Sequence, residues 1–256
     1  MIHPAALIDP GARIGERVSI GPFSIVGADV EIGDGCEIAA HVHLSGPTRL
    51  GVDNRIGSFC AIGGEPQDKK YAGEPTRLEI GDRNTIREFA TINRGTTQDA
   101  GVTRIGNDNW IMAYVHVAHD CVVGDHTIFA NAASLAGHVR VDDYAILGGF
   151  TLVHQFCQIG AHAFTAMGAV VNRDVPPFVM VAGTFAEPKG INTEGLRRRG
   201  FSSDSIRAIR RGYRTLYKSG LGLSEARAAL ATMATESAEV RQLLDFIDRS
   251  QRSLVR

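Results

Sequence analysis

Residues 8–38 read IDPGARIGERVSIGPFSIVGADVEIGDGCEI, with an aliphatic residue at every sixth position: Ile8, Ile14, Ile20, Val26, Ile32 and Ile38. The rhythm continues through Leu44, Leu50, Ile56 and Ile62 and resumes at Ile80, Ile86 and Ile92. After a slip of one residue it runs unbroken from Ile105 to Val171. Of 25 such slots only Phe129 and Thr165 are not aliphatic, so the pattern outlasts any single amphipathic element. A period of six matches neither the helical repeat of about 3.6 nor the strand repeat of about two. It matches short parallel strands joined by turns and wound into coils of three hexapeptides, a parallel β-helix whose coils stack at roughly 4.8 Å. A β-sandwich would not hold this phase over so many hexapeptides.

Phase then gives meaning to the other residues. Glycine directly follows 12 of the slots, and the expectation is that it takes up tight-corner conformations costly for other residues. The residue four after a slot is usually small. All four cysteines (Cys36, Cys60, Cys121, Cys157) fall there, which reads them as buried packing residues and not as a zinc or redox pair.

Composition narrows the function classes. The 256 residues carry 27 Lys and Arg against 28 Asp and Glu, a net charge of −1, so nothing points to general nucleic-acid binding. The 29 glycines lack the strict triplet of collagen. No run approaches about 18 apolar residues, so no membrane span is expected. The opening MIHPAALIDPGARIG has no apolar stretch of signal-peptide length, and the expected location is the cytoplasm.

The ladder assigns residues 1–187 to the β-helix, with excursion loops at about 64–79 (GEPQDKKYAGEPTRLE) and 93–104 (NRGTTQDAGVTR). Departures from a solenoid's period tend to build its working surface. Residues 188–256 form a small C-terminal α-helical domain. Ser202 or Ser203 caps a helix whose apolar face is Ile206, Ile209, Tyr213, Leu216 and Tyr217, and a second helical pattern starts at Ser224 and breaks near Ser237. This region suits the open end of a β-helix. Residues 196–218 hold eight basic side chains and one acid, Asp204, either a solvated helix face or a landing site for phosphates or an acidic protein.

Four histidines cluster in the late coils: His116, His119, His138 and His154. An 18-residue coil stacks His119, Gly137 and Gln155, sets His138 under Asp120 and beside Gly137, and leaves His154 next to Gln155. Such a column suits a metal site or a proton-transfer site. A general base needs a carboxylate on its other ring nitrogen, for which Asp68 and Asp120 are both candidates, and the Gly137 backbone N–H lies where an oxyanion would need a donor. A zinc enzyme using His116, His119 and His138, similar to a γ-type carbonic anhydrase, is the alternative on the same scaffold. A non-catalytic trimeric scaffold leaves the polar column and both loops unexplained.

The connecting segments are more specific than the hexads. QDKKYAGEPT (67–76), IREFATINRGT (86–96), HVAHDCVVGD (116–125), LAGHV (135–139), VHQFCQIGAH (153–162), DVPPFV (174–179) and GINTEGLRRRGFS (190–202) together resemble the UDP-N-acetylglucosamine acyltransferases that open lipid A synthesis, hexapeptide-repeat acyltransferases. The resemblance implies a homotrimer of left-handed parallel β-helices with active sites between subunits. It implies transfer of an (R)-3-hydroxyacyl group from acyl carrier protein to the 3-hydroxyl of UDP-N-acetylglucosamine. No metal and no cofactor is implied beyond the carrier's phosphopantetheine. By resemblance His119 is the base, Asp68 orients it and Gly137 serves the oxyanion. Gln67, Lys70, His116, His138, His154, Gln155, Asn192, Glu194, Arg198 and Arg199 are substrate contacts, the last two for the phosphates. Met167 sits at the end of the acyl groove, where a side chain in place of glycine favours a shorter acyl chain of about ten carbons. Asn93 and Lys69 depart from the family's usual histidine and leucine.

Overall fold

A computed structural model describes all 256 residues. Strands of two to five residues follow one another, beginning with β1 (Leu7–Ile8), β2 (Arg13–Ile14), β3 (Ser19–Ile20) and β4 (Ile25–Val26). Every third strand pairs in parallel, giving three faces. The first face runs from β1 to β25 (Val170–Val171) and the second from β2 to β23 (Gln158–Ile159). The third runs from β3 to β24 (Phe164–Thr165) and is extended by β26 (Val179–Ala182) and the antiparallel β27 (Glu187–Ile191). Register keeps the 18-residue phase, with Leu7 opposite Ile25 and Ile8 opposite Val26. It lengthens only where an excursion intervenes: Ala61 faces Thr91, which faces His116.

The slots form the core. From Ile20 to Val171 each is at most 3% exposed, and Ile8 and Ile14 are half-buried on the uncovered first coil. The one polar occupant, Thr165, is satisfied by Thr151 Oγ1 at 2.7 Å and by the Gly148 N–H at 3.1 Å. The four cysteines are buried free thiols, and burial pushes Cys60 and Cys157 up to about 11 and Cys121 to about 12, as packing residues require.

The glycine expectation is corrected. The left-handed backbone falls three residues after the slot and mostly on other residues, among them Phe23 (60°), Asp120 (59°), His138 (63°), Tyr144 (60°) and Phe156 (64°). The glycines just after the slots serve close stacking: a Cβ on Gly21, Gly33 or Gly148 would lie 2.6–2.7 Å from backbone atoms of the next coil. Residues in the strained corner position stack on their equivalents one coil away. Phe23, His41, Phe59, Phe89 and Tyr114 form one such column at centroid spacings of 4.8–5.1 Å, and this contact offsets the strain of about 1–2 kcal/mol per residue.

Four helices follow: α1 (Thr193–Arg198), α2 (Ser203–Tyr217), α3 (Leu223–Met233) and α4 (Ala238–Arg249). Ser202 caps α2 and Ser237 caps α4 through their hydroxyls. Tyr213 and Val255 join the β-helix core. The last residues pair with the backbone of Asp174, whose N–H donates to Ser253 O at 3.1 Å and whose carbonyl accepts from Val255 N–H at 2.9 Å. The helical region thereby covers the final coil. No helix is long and apolar enough to cross a membrane.

Candidate active site

The chain crosses from the first face to the second at one corner, and five successive crossings there carry most of the polar residues singled out above. The first excursion leaves β10 (Ala61–Gly64) and returns at β11 (Arg77–Ile80), carrying Gln67, Asp68 and Lys70. The second leaves β13 (Thr91–Asn93) and returns at β14 (Val102–Ile105). The third crossing, between β16 (His116–Val117) and β17 (Val122–Val123), holds His119 and Asp120. The fourth holds Gly137 and His138, and the fifth His154, Gln155 and Phe156. The two excursions are tied together by the buried Arg94, whose guanidinium donates to Gly63 O (3.0 Å) and to Tyr71 Oη (2.9 Å). Asn93 reaches Glu65 O at 2.8 Å.

His119 Nδ1 lies 2.9 Å from Asp120 Oδ2. A carboxylate only accepts, so Nδ1 carries the proton and Nε2 keeps its lone pair. Asp120 is a hub: it also accepts the Thr96 N–H (2.9 Å) and Thr96 hydroxyl (2.6 Å), while its own N–H donates to Thr103 Oγ1. Burial alone would raise its pKa, but the hydrogen bonds from His119 and Thr96 outweigh it and hold the carboxyl below the ordinary value. This corrects the orienting role given to Asp68. The Nδ1 position belongs to Asp120, the next residue in the chain, which has a left-handed φ of 59°. Asp68 instead accepts the Lys70 N–H at 2.9 Å within its own loop.

Gly137 stacks on His119 so closely that a Cβ there would lie 2.5 Å from the ring Cε1 and 2.7 Å from Nε2. Its N–H donates to no protein acceptor. His138 stands edge-on to His119 at 5.1 Å and lies flat on Phe156 at 4.4 Å. His116, on the first face, binds Thr91 Oγ1 at 2.7 Å through Nδ1, and its pKa is lowered by burial and then by the neighbouring His119. His154 and Gln155 are exposed, with His154 Nδ1 3.1 Å from Gln155 O. The side chains whose ligand atoms lie within 4.8 Å of one another are His119, Asp120 and His138, without His116.

Five expected contacts lie away from this corner. Met167, 80% exposed, is at the corner between the third and first faces. Asn192 caps α1, accepting the Gly195 N–H, and Glu194 pairs with Arg198 at 3.1 Å. Arg199 covers the remaining corner, over the Tyr144 ring at 5.3 Å and 3.3 Å from His162 Nδ1. A single chain does not bring these residues to His119. Thr96, Asp99 and Phe156, which do reach the histidine pair, escaped the sequence reading. Phe156 was available from the 18-residue phase, whereas the other two lie in an aperiodic loop.

A parallel β-helix with a histidine–carboxylate pair at one corner and a helical cap defines a hexapeptide-repeat acyltransferase. Bacterial transferase hexapeptide repeats match residues 11–46 and 103–137, and the second domain of UDP-N-acetylglucosamine O-acyltransferases matches residues 174–255. The acyl-[acyl-carrier-protein]–UDP-N-acetylglucosamine O-acyltransferases of Thiobacillus denitrificans and Halorhodospira halophila are each 60% identical over 255 residues, covering all of this chain and 99% of theirs. The solved UDP-N-acetylglucosamine acyltransferase of Francisella novicida superposes with a TM-score of 0.98 at 43% identity, over all of this chain and 94% of that one. The chain belongs to the acyl-[acyl-carrier-protein]–UDP-N-acetylglucosamine O-acyltransferase family, is an acyltransferase, and its β-helix is left-handed.

Proposed function

We propose that the chain transfers an (R)-3-hydroxyacyl group from the phosphopantetheine thioester of acyl carrier protein to the 3-hydroxyl of UDP-N-acetylglucosamine, the first step toward lipid A. The observation that carries this reading is His119 held by Asp120 at 2.9 Å and packed against Gly137, whose N–H is unpaired. His119 Nε2 takes the proton as the sugar oxygen attacks the thioester carbonyl. The oxyanion accepts a hydrogen bond from Gly137 N–H, and its collapse forms the ester and expels the thiolate, which takes the proton back from the imidazolium. Direct attack needs no protein nucleophile. Gln67, Asp68, Lys70, His116, His138, His154 and Gln155 are then the contacts of one subunit to sugar and acyl chain. Asn192, Glu194, Arg198, Arg199 and Met167 lie on other edges, which supports a cleft completed by a neighbouring copy in a homotrimer. The arginine-rich α1–α2 segment suits an acidic carrier protein. The reaction needs no metal or cofactor beyond the carrier's phosphopantetheine, and its substrates place it in the cytoplasm.

Replacing His119 by Ala tests the mechanism. Acyl transfer falls by a factor of about 10² or more while the thermal unfolding curve is retained. Full activity of the variant would rule out His119 as the base.

A further inference from the structure

We infer that Asp99 is a positioning residue for His138, fixing its ring with Nδ1 protonated and Nε2 on the side of Asp120 and His119. The Asp99 Oδ2 to His138 Nδ1 distance is 2.9 Å, and an ionised carboxylate offers only acceptors, so the ring proton is committed to Nδ1. Nε2 is then on the inner edge, 3.9 Å from Asp120 Oδ2. Stacking on Phe156 fixes the plane of the ring but leaves open which edge faces inward. The Asp99 carboxylate selects the edge.

The loop is built to hold Asp99 there. The Gly101 N–H donates to Thr96 O at 3.1 Å, closing a turn around Asp99. Thr96 is itself fixed to Asp120 through its N–H and its hydroxyl. One threonine therefore connects two carboxylate–histidine pairs: Asp120 with His119, and Asp99 with His138. Both rings end with Nδ1–H bound and Nε2 turned into the same corner, one as base and the other as a second hydrogen-bond acceptor for a hydroxyl of the sugar or of the acyl chain. That last assignment rests on the acyl-transfer reading; the state of the ring does not.

Long-range ¹H–¹⁵N spectra of the full chain, with His138 assigned by loss of its signals in His138→Phe, read the ring directly. In the wild type His138 shows a protonated Nδ1. Asp99→Asn keeps it, because the amide oxygen still accepts, and Asp99→Ala does not. Asp99 is half-exposed, so the kinetic effect is moderate: kcat/KM falls about fivefold in Asp99→Ala and stays within about twofold in Asp99→Asn, with an unchanged melting curve. An unprotonated Nδ1 in the wild type overturns the inference, as does an Asp99→Ala variant with wild-type spectra and kinetics. Should the expected spectra coincide with no transfer to UDP-N-acetylglucosamine, the ring assignment stands and the substrate reading fails.

Discussion

At the scale of single residues the site is a matter of which atoms are already occupied. His119 has one free ring nitrogen because Asp120 holds the other, so Asp120→Asn, which permits the wrong tautomer, is expected to lower kcat by about 10² or more with little change in KM. A wild-type kcat in that variant would show the pair to be incidental. Gly137→Ala pushes a methyl group against the His119 ring, and the expected outcome is loss of activity in a protein that still melts cooperatively. Met167→Gly is expected to move the preferred donor toward longer acyl chains; an unchanged preference across donors of graded length would remove Met167 from the groove. His119, Gly137, His138 and Gln155 were legible in the sequence because they keep the 18-residue phase. Asp120 was legible only as one of two carboxylates, and Asp99 and Thr96 were not legible, since the path of an aperiodic loop is set by hydrogen bonds to distant coils.

At the scale of elements the corners organise the fold. Their left-handed third position carries Asp120 and His138 at one corner and Tyr144 and His162 at another, so the candidate site and the structural columns use the same backbone geometry. His162 stacks between Tyr144 and Phe178, where burial, and then the charge of Arg199, pushes it down to about 4. The unfolded chain takes up this proton near pH 6.5 and the folded chain does not. The resulting stability is complete above about pH 6.5 and declines as pH falls toward 4. The melting temperature of His162→Phe should therefore fall less than that of the wild type over this interval, and parallel curves would contradict the assignment. The hexad rhythm announced the strands and the core, but the placement of glycine was misread. Period locates a glycine, whereas only the distance to the next coil says whether it is there for φ or for closeness.

At the scale of the whole molecule the three faces differ in what they present outward. The second face alternates charge, with Arg13 paired to Glu31 and Arg104 to Glu79. The later coils of the third face present Trp110, Ile128, Ile146, Phe164 and Met180, and the first face presents Leu152 and Val170. Trp110 and Leu152 are 45% and 50% exposed in the single chain, surface that subunit association would bury. Ile146→Glu is expected to shift the light-scattering mass from three chains to one and to abolish activity together with it. A monomeric variant with full activity would mean that one chain completes the site.

The activity of the chain is defined by the identity of its product. Incubating the chain with UDP-N-acetylglucosamine and a series of 3-hydroxyacyl carrier proteins, and weighing the sugar nucleotide by mass spectrometry, tests it directly. An O-linked 3-hydroxyacyl ester on the glucosamine ring is expected, strongest with a short donor and lost in His119→Ala. Unmodified UDP-N-acetylglucosamine with every donor would contradict it.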